Sequence, residues 1–130
     1  MDPSQLAPTG VLSDLPDEER DALAAVMRIE ARPRGHVLVE EGDIPDKFFL
    51  LVDGCVTVHR SGRHLADLGP GDVFGERGVL ALTPRNASVI ATTPVKVAVA
   101  MGWDVRDMLG DRPRLRAALE AEAGKREALD

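Results

Sequence analysis

The sequence predicts a mainly β fold, an antiparallel sandwich or barrel with helices at both ends, and three observations predict it. Between Ile29 and Ala100, short segments rich in Val, Ile, Leu and Phe are punctuated by Pro33, Gly35, Gly42, Pro45, Gly54, Gly62, Gly69, Gly71 and Pro94. Breakers spaced this closely bound short strands joined by turns. Val56 and Val58 alternate with Thr57 and His59, the period-2 pattern of a strand with one face inward. Outside this region the apolar spacing becomes helical, at Leu23, Val26 and Met27 before it and at Leu115, Ala118 and Leu119 after it.

Residues 1–10 carry two prolines, a glycine and few large apolar groups, and read as a disordered lead-in to a single domain over 11–130. The segment Leu12-Ser13-Asp14-Leu15-Pro16 opens a helix running to about Val26. Pro16 suits its first turn, and Asp17, Glu18 and Glu19 lie near its positive end. Strands are expected at Val37 to Glu40, Phe48 to Asp53, Cys55 to Arg60, Arg63 to Leu68, Ala87 to Ala91 and Val95 to Ala100, with Ser61-Gly62 as a tight turn. A short helix over Trp103 to Leu109 should bury Val105, Met108 and Leu109. Asp111-Arg112-Pro113 then introduces a second helix to about Leu129, with Glu122 and Arg126 as an i, i+4 pair.

A chain of 130 residues has the size of one domain. Sixteen basic residues against 22 acidic ones give a net charge of −6, which argues against a nucleic-acid surface. No apolar run approaches the ~20 residues of a membrane span. Met1-Asp2-Pro3-Ser4 lacks the basic-then-apolar layout of a secretory signal, so a cytoplasmic location is the default expectation. Cys55 is the one cysteine, so neither an internal disulfide nor a cysteine-based zinc site is expected, and it reads as a small strand residue. His36, His59 and His64 read as isolated surface or turn residues; without a His-x-His pair on one strand, no metal site is expected. Ser88 and Cys55 have no local base motif, and no catalytic residue is expected.

The densest chemistry lies in Gly71-Asp72-Val73-Phe74-Gly75-Glu76, followed nine residues after Glu76 by Arg85 in Thr83-Pro84-Arg85-Asn86-Ala87-Ser88-Val89. A guanidinium is permanently charged and forked, so Arg85 can grip two oxygens of a phosphodiester. The Glu76 carboxylate can accept a proton from a ribose hydroxyl. Gly75 and Gly78 leave backbone amides unshielded beside them, and a helix starting near Glu76 would point its first N–H groups at an anion.

Phe74-Gly75-Glu76, the spacing to Pro84-Arg85 and the trailing Ala87-Ser88-Val89 resemble the phosphate-binding cassette of cyclic nucleotide-binding domains. Such domains occur in protein kinase A regulatory subunits, cyclic-nucleotide-gated channels and bacterial catabolite activator proteins. The resemblance runs from about Leu12 to Leu119. It implies an eight-stranded antiparallel, jelly-roll-like β-roll with an N-terminal helix, a short cassette helix and C-terminal helices, residues 103–130 forming a lid region. It implies ligand contacts from Phe74, Gly75, Glu76, Gly78, Arg85, Asn86 and Ala87, and a base wall from Val58, Leu65 and Leu68. Trp103 is a stacking candidate, and Arg116, Lys125 and Arg126 are long enough to reach a purine edge.

The expected function is that of a stand-alone, non-enzymatic receptor for cAMP, with cGMP left open and no separate cofactor. Nucleotide would move the C-terminal helices, and an effector protein or a homodimer would read the motion. Two residues depart from the family pattern: Arg77, where relatives are mostly apolar, and Asn86, where they often carry Ala, Ser or Thr. They leave open an alternative, a degenerate domain of this fold serving as a protein-interaction module without nucleotide. A metal-dependent, cupin-like enzyme is a third reading, which bound metal would reveal.

Overall fold

A computed structural model describes residues 10–80, 85 and 87–127. Helix α1 (Asp17–Ala25) is followed by eight strands: β1 (Arg28–Arg32), β2 (Val37–Val39), β3 (Lys47–Asp53), β4 (Val56–Arg60), β5 (Arg63–Leu68), β6 (Val73–Phe74), β7 (Ser88–Ala91) and β8 (Val95–Met101). Helix α2 (Glu76–Leu80) interrupts the strands after β6, and α3 (Gly102–Met108) and α4 (Pro113–Glu127) end the described chain. The strands form two antiparallel four-stranded sheets, ordered β1-β8-β3-β6 and β2-β7-β4-β5. The expected mainly β, eight-stranded architecture with flanking helices is therefore present.

Three layers follow from which faces are apolar. Strand β3 is buried on both faces, as a nearly continuous apolar run requires. Phe48 and Leu50 join Ala98 and Ala100 of β8 in a cluster with Leu23, Met27, Val105, Leu115 and Leu119 from the helices. Phe49 and Leu51 turn the other way and meet Val97, Val99, Val56, Val58 and Val89 between the sheets. The helices thus cover the outer face of the first sheet, where the small side chains of Ala98 and Ala100 allow close approach.

Several details differ from the sequence reading. Gly10 lies in an ordered 3-10 turn, Gly10–Leu12, not in a lead-in. Its φ is +77°, and a Cβ there would sit 2.4 Å from the Gly71 carbonyl oxygen, so the turn abuts the start of the cassette. Residues 1–9 lie outside the described residues. Strand β1 was not expected because its Arg-Ile-Glu-Ala-Arg sequence is charged; on this sheet edge Glu30 pairs with both Arg28 and Arg32. Cys55 precedes β4, and it is exposed. Its backbone accepts from Thr92 and donates to the Thr93 hydroxyl.

The histidines are not all isolated. A bulge between Val58 and His59 sets His59 opposite His64, their rings edge to face with centroids 5.5 Å apart. His64 donates to Asp67 at 3.0 Å, and that bond above all holds the Asp67 carboxyl below its ordinary pKa. Glu122 is buried and lies 3.7 Å from Lys125, whereas the side chain of its expected partner Arg126 is outside the described residues. Among the described residues, no helix is long and apolar enough to cross a membrane.

Candidate functional site

The cassette is anchored to β3 before it reaches its polar residues. Gly71 donates to the Leu51 carbonyl at 2.8 Å and Leu51 donates to that of Asp72 at 2.9 Å, while β6 pairs Phe74 with Phe49. The Asp72 carboxylate closes the preceding turn by accepting from the Gly69 amide at 2.9 Å. Phe74 is 1% exposed and stacks on Phe49, with centroids 4.8 Å apart and planes 9° from parallel. Its ring belongs to the core between the sheets and positions the next two residues.

Gly75 makes the turn out of the sheet. Its φ is +82°, and a Cβ would lie 2.7 Å from the Lys47 carbonyl oxygen and 3.1 Å from Arg85 Nη1. Only glycine satisfies both the backbone and the space. The chain then enters α2 at Glu76, 1% exposed and among the larger fully buried side chains. A buried carboxylate requires polar partners.

Arg85 supplies the facing cation. It is half-buried; Nη1 donates to the Gly75 carbonyl at 3.1 Å, and Nη2 donates to that of Lys47. Its backbone is held as firmly: Arg85 N donates to Asp43 O at 2.9 Å and Gly42 N donates to Arg85 O at 2.7 Å. Burial lowers the guanidinium pKa, and the charges of Asp46, Glu76 and Asp43 pull it back up. The group stays charged, since arginine keeps its proton in proteins. Loop 42–46 also reaches the C-terminal helices, because Asp46 O accepts from Gly102 N, at the start of α3, at 2.9 Å.

The structure thus brings Phe74, Gly75, Glu76 and Arg85 together across a sequence gap. Val58 and Phe74 belong to the inter-sheet cluster, against which Leu65, Leu68 and Ala87 pack half-buried, so the expected wall residues Val58, Leu65 and Leu68 share one apolar region with two cassette residues. Gly78 lies within α2. The side chain of Arg77 and the whole of Asn86 lie outside the described residues. Of the lid candidates, Arg116 pairs with Glu120 on its own helix at 2.9 Å, Lys125 lies near Glu122, and Trp103 is 51% exposed in the first turn of α3.

The sequence reading missed the two carbonyls that hold Arg85 and the stacking of Phe49 on Phe74. Nothing local in the sequence signals the first, whose Lys47 carbonyl lies 38 residues from Arg85, while two phenylalanines within apolar runs were the available signal for the second. Among the described residues, no group of three or more His, Cys, Asp or Glu is placed to hold a metal ion.

A cAMP-dependent protein kinase regulatory subunit of Schizosaccharomyces pombe is 30% identical over 129 residues, covering 93% of this chain and 31% of that protein. A CRP-like cAMP-activated global transcriptional regulator of Mycobacterium tuberculosis is 32% identical over 120 residues, covering 88% of this chain and 53% of that protein. The chain therefore spans from about a third to about half the length of these curated relatives. The crystal structure of Thermus thermophilus catabolite activator protein superposes with a TM-score of 0.80 at 27% identity, over 94% of this chain and 59% of that one. Residues 30–112, from β1 to the turn before α4, match the cyclic nucleotide-binding domain, and the chain belongs to that family.

Proposed function

We propose that the chain is a receptor module for cAMP, with Arg85 gripping the cyclic phosphate and Glu76 accepting from the ribose hydroxyl. The observation that carries this reading is the half-buried Arg85 guanidinium near a buried Glu76, with Glu76 following a strand paired to β3 and the guanidinium bonded to the Lys47 carbonyl of β3. A partly buried guanidinium binds a delocalised anion well, and a carboxylate can accept from a ribose hydroxyl. Phe74, Gly75, Gly78, Asn86 and Ala87 complete the cassette, while Val58, Leu65 and Leu68 form the apolar wall for the base. cAMP is preferred over cGMP because the curated relatives are described as cAMP-dependent and cAMP-activated.

The output is conformational: nucleotide shifts α3 and α4 by as much as it binds the closed form more tightly than the open one. A partner protein or a second copy of the chain reads that shift, in the cytoplasm. The domain is a binding domain and works without catalysis.

Calorimetry with cAMP and cGMP tests the site. Arg85→Ala should weaken cAMP binding at least about tenfold, the value of a charge-assisted contact. Because Arg85 also holds two carbonyls, Arg85→Lys is measured beside it, with circular dichroism to show that both variants fold. Unchanged affinity in a folded Arg85→Ala would sink the assignment.

A further inference from the structure

The cassette helix is held at both ends by arginines, and the phosphate site uses only one of them. At the start of α2, Gly75 O accepts from Arg85 at 3.1 Å. Near its end, Val79 O accepts from Arg106 Nε, also at 3.1 Å, in a partly buried contact. Arg106 belongs to α3, 27 residues further along the chain. The last carbonyls of a helix have no partner within it, and an arginine there satisfies one of them while opposing the negative end of the helix.

The side chain of Val79 is buried in the same place, clustered with Val105, Met108 and Leu109 and with Leu115 and Leu119 of α4. Apolar contact of this kind is non-directional and tolerates sliding. A hydrogen bond to one carbonyl fixes register, because it weakens steeply when its angle is lost.

We infer that Arg106 is the positioning residue that transmits displacement of the cassette helix α2 to the C-terminal helices. This rests on the nucleotide reading above and specifies how that site is regulated. Arg85 senses the ligand at one end of α2, and Arg106 hands the motion to α3 at the other. With Arg106 removed, nucleotide still binds, but α3 follows it poorly.

The chain carries its own reporter, since Trp103 is its single tryptophan, half exposed in the first turn of α3. The experiment compares wild type, Arg106→Met and Arg106→Lys over the full chain, reading cAMP affinity by calorimetry and Trp103 by emission and acrylamide quenching. Arg106→Met should keep its affinity within about threefold of wild type. Its cAMP-induced Trp103 response should fall below about half of the wild-type change. Arg106→Lys, which can still donate to Val79 O, should recover most of that response. Without nucleotide, hydrogen exchange at the α2 amides should be faster in Arg106→Met, a reading that applies equally to Arg106→Gln should the methionine variant not fold.

A full Trp103 response in a folded Arg106→Met or Arg106→Gln that binds cAMP overturns the inference and leaves the site intact. Wild type that binds cAMP with no Trp103 response overturns it likewise. Absence of binding to wild type overturns the nucleotide reading itself, and the inference falls with it.

Discussion

Gly75 is where backbone conformation and site chemistry are most tightly joined. Its positive φ turns the chain from β6 into α2, its carbonyl accepts from Arg85, and its missing side chain lets the Lys47 carbonyl come close. Gly75→Ala should destabilise the fold by about 1–3 kcal/mol, the usual cost of a side chain held in that backbone region. It should also weaken cAMP binding, because the crowding atom is backbone and Arg85 must shift. Thermal denaturation and calorimetry on the variant check both effects; wild-type stability and affinity would refute the account. Glu76 and Arg85 were legible as chemistry because their residue types are costly to place without a purpose. The resemblance implies a ligand contact at Phe74, yet its ring stacks on Phe49 in the core, a pairing that depends on the register of β6 against β3.

At the scale of elements, the helices are joined by polar contacts that cross long stretches of chain. Glu19 of α1 is 5% exposed and accepts from Arg114 N and Leu115 N, both at 3.1 Å, capping α4 from outside. Glu18 pairs with Arg112 alongside it at 2.8 Å. The sequence suggested only that Glu19 favours the start of its own helix, and the structure gives it a second helix to stabilise. Glu19→Ala should cost about 1–2 kcal/mol, the usual value of a lost N-cap. Glu19→Gln, which keeps an acceptor oxygen, should lose less. Urea titration would show this as a lower midpoint at constant slope, and equal midpoints for wild type and Glu19→Ala would refute it. Strands β3 and β8 were legible because both faces are apolar, whereas β1 hid behind its charges and β6 is only two residues long.

At the scale of the whole molecule, a ligand that binds only the folded state stabilises it by mass action. cAMP at 100 times its dissociation constant should raise the unfolding free energy by about 2.7 kcal/mol, and Arg85→Ala, binding at least about tenfold more weakly, should keep no more than about half of that increment at the same concentration. A thermal shift series over cAMP concentration measures it; a transition unmoved by saturating cAMP would count against the nucleotide reading. The sequence by itself determined the class of fold, the strand-rich middle and the flanking helices, because period and breakers are local properties of the chain. Only the tertiary structure decided which carbonyls hold Arg85, that Phe74 is core, that Glu19 caps a helix 95 residues away and that Arg106 closes the end of α2. Those contacts join residues far apart in sequence, and burial gives them their strength, so neither the partner nor its value can be read from either segment alone.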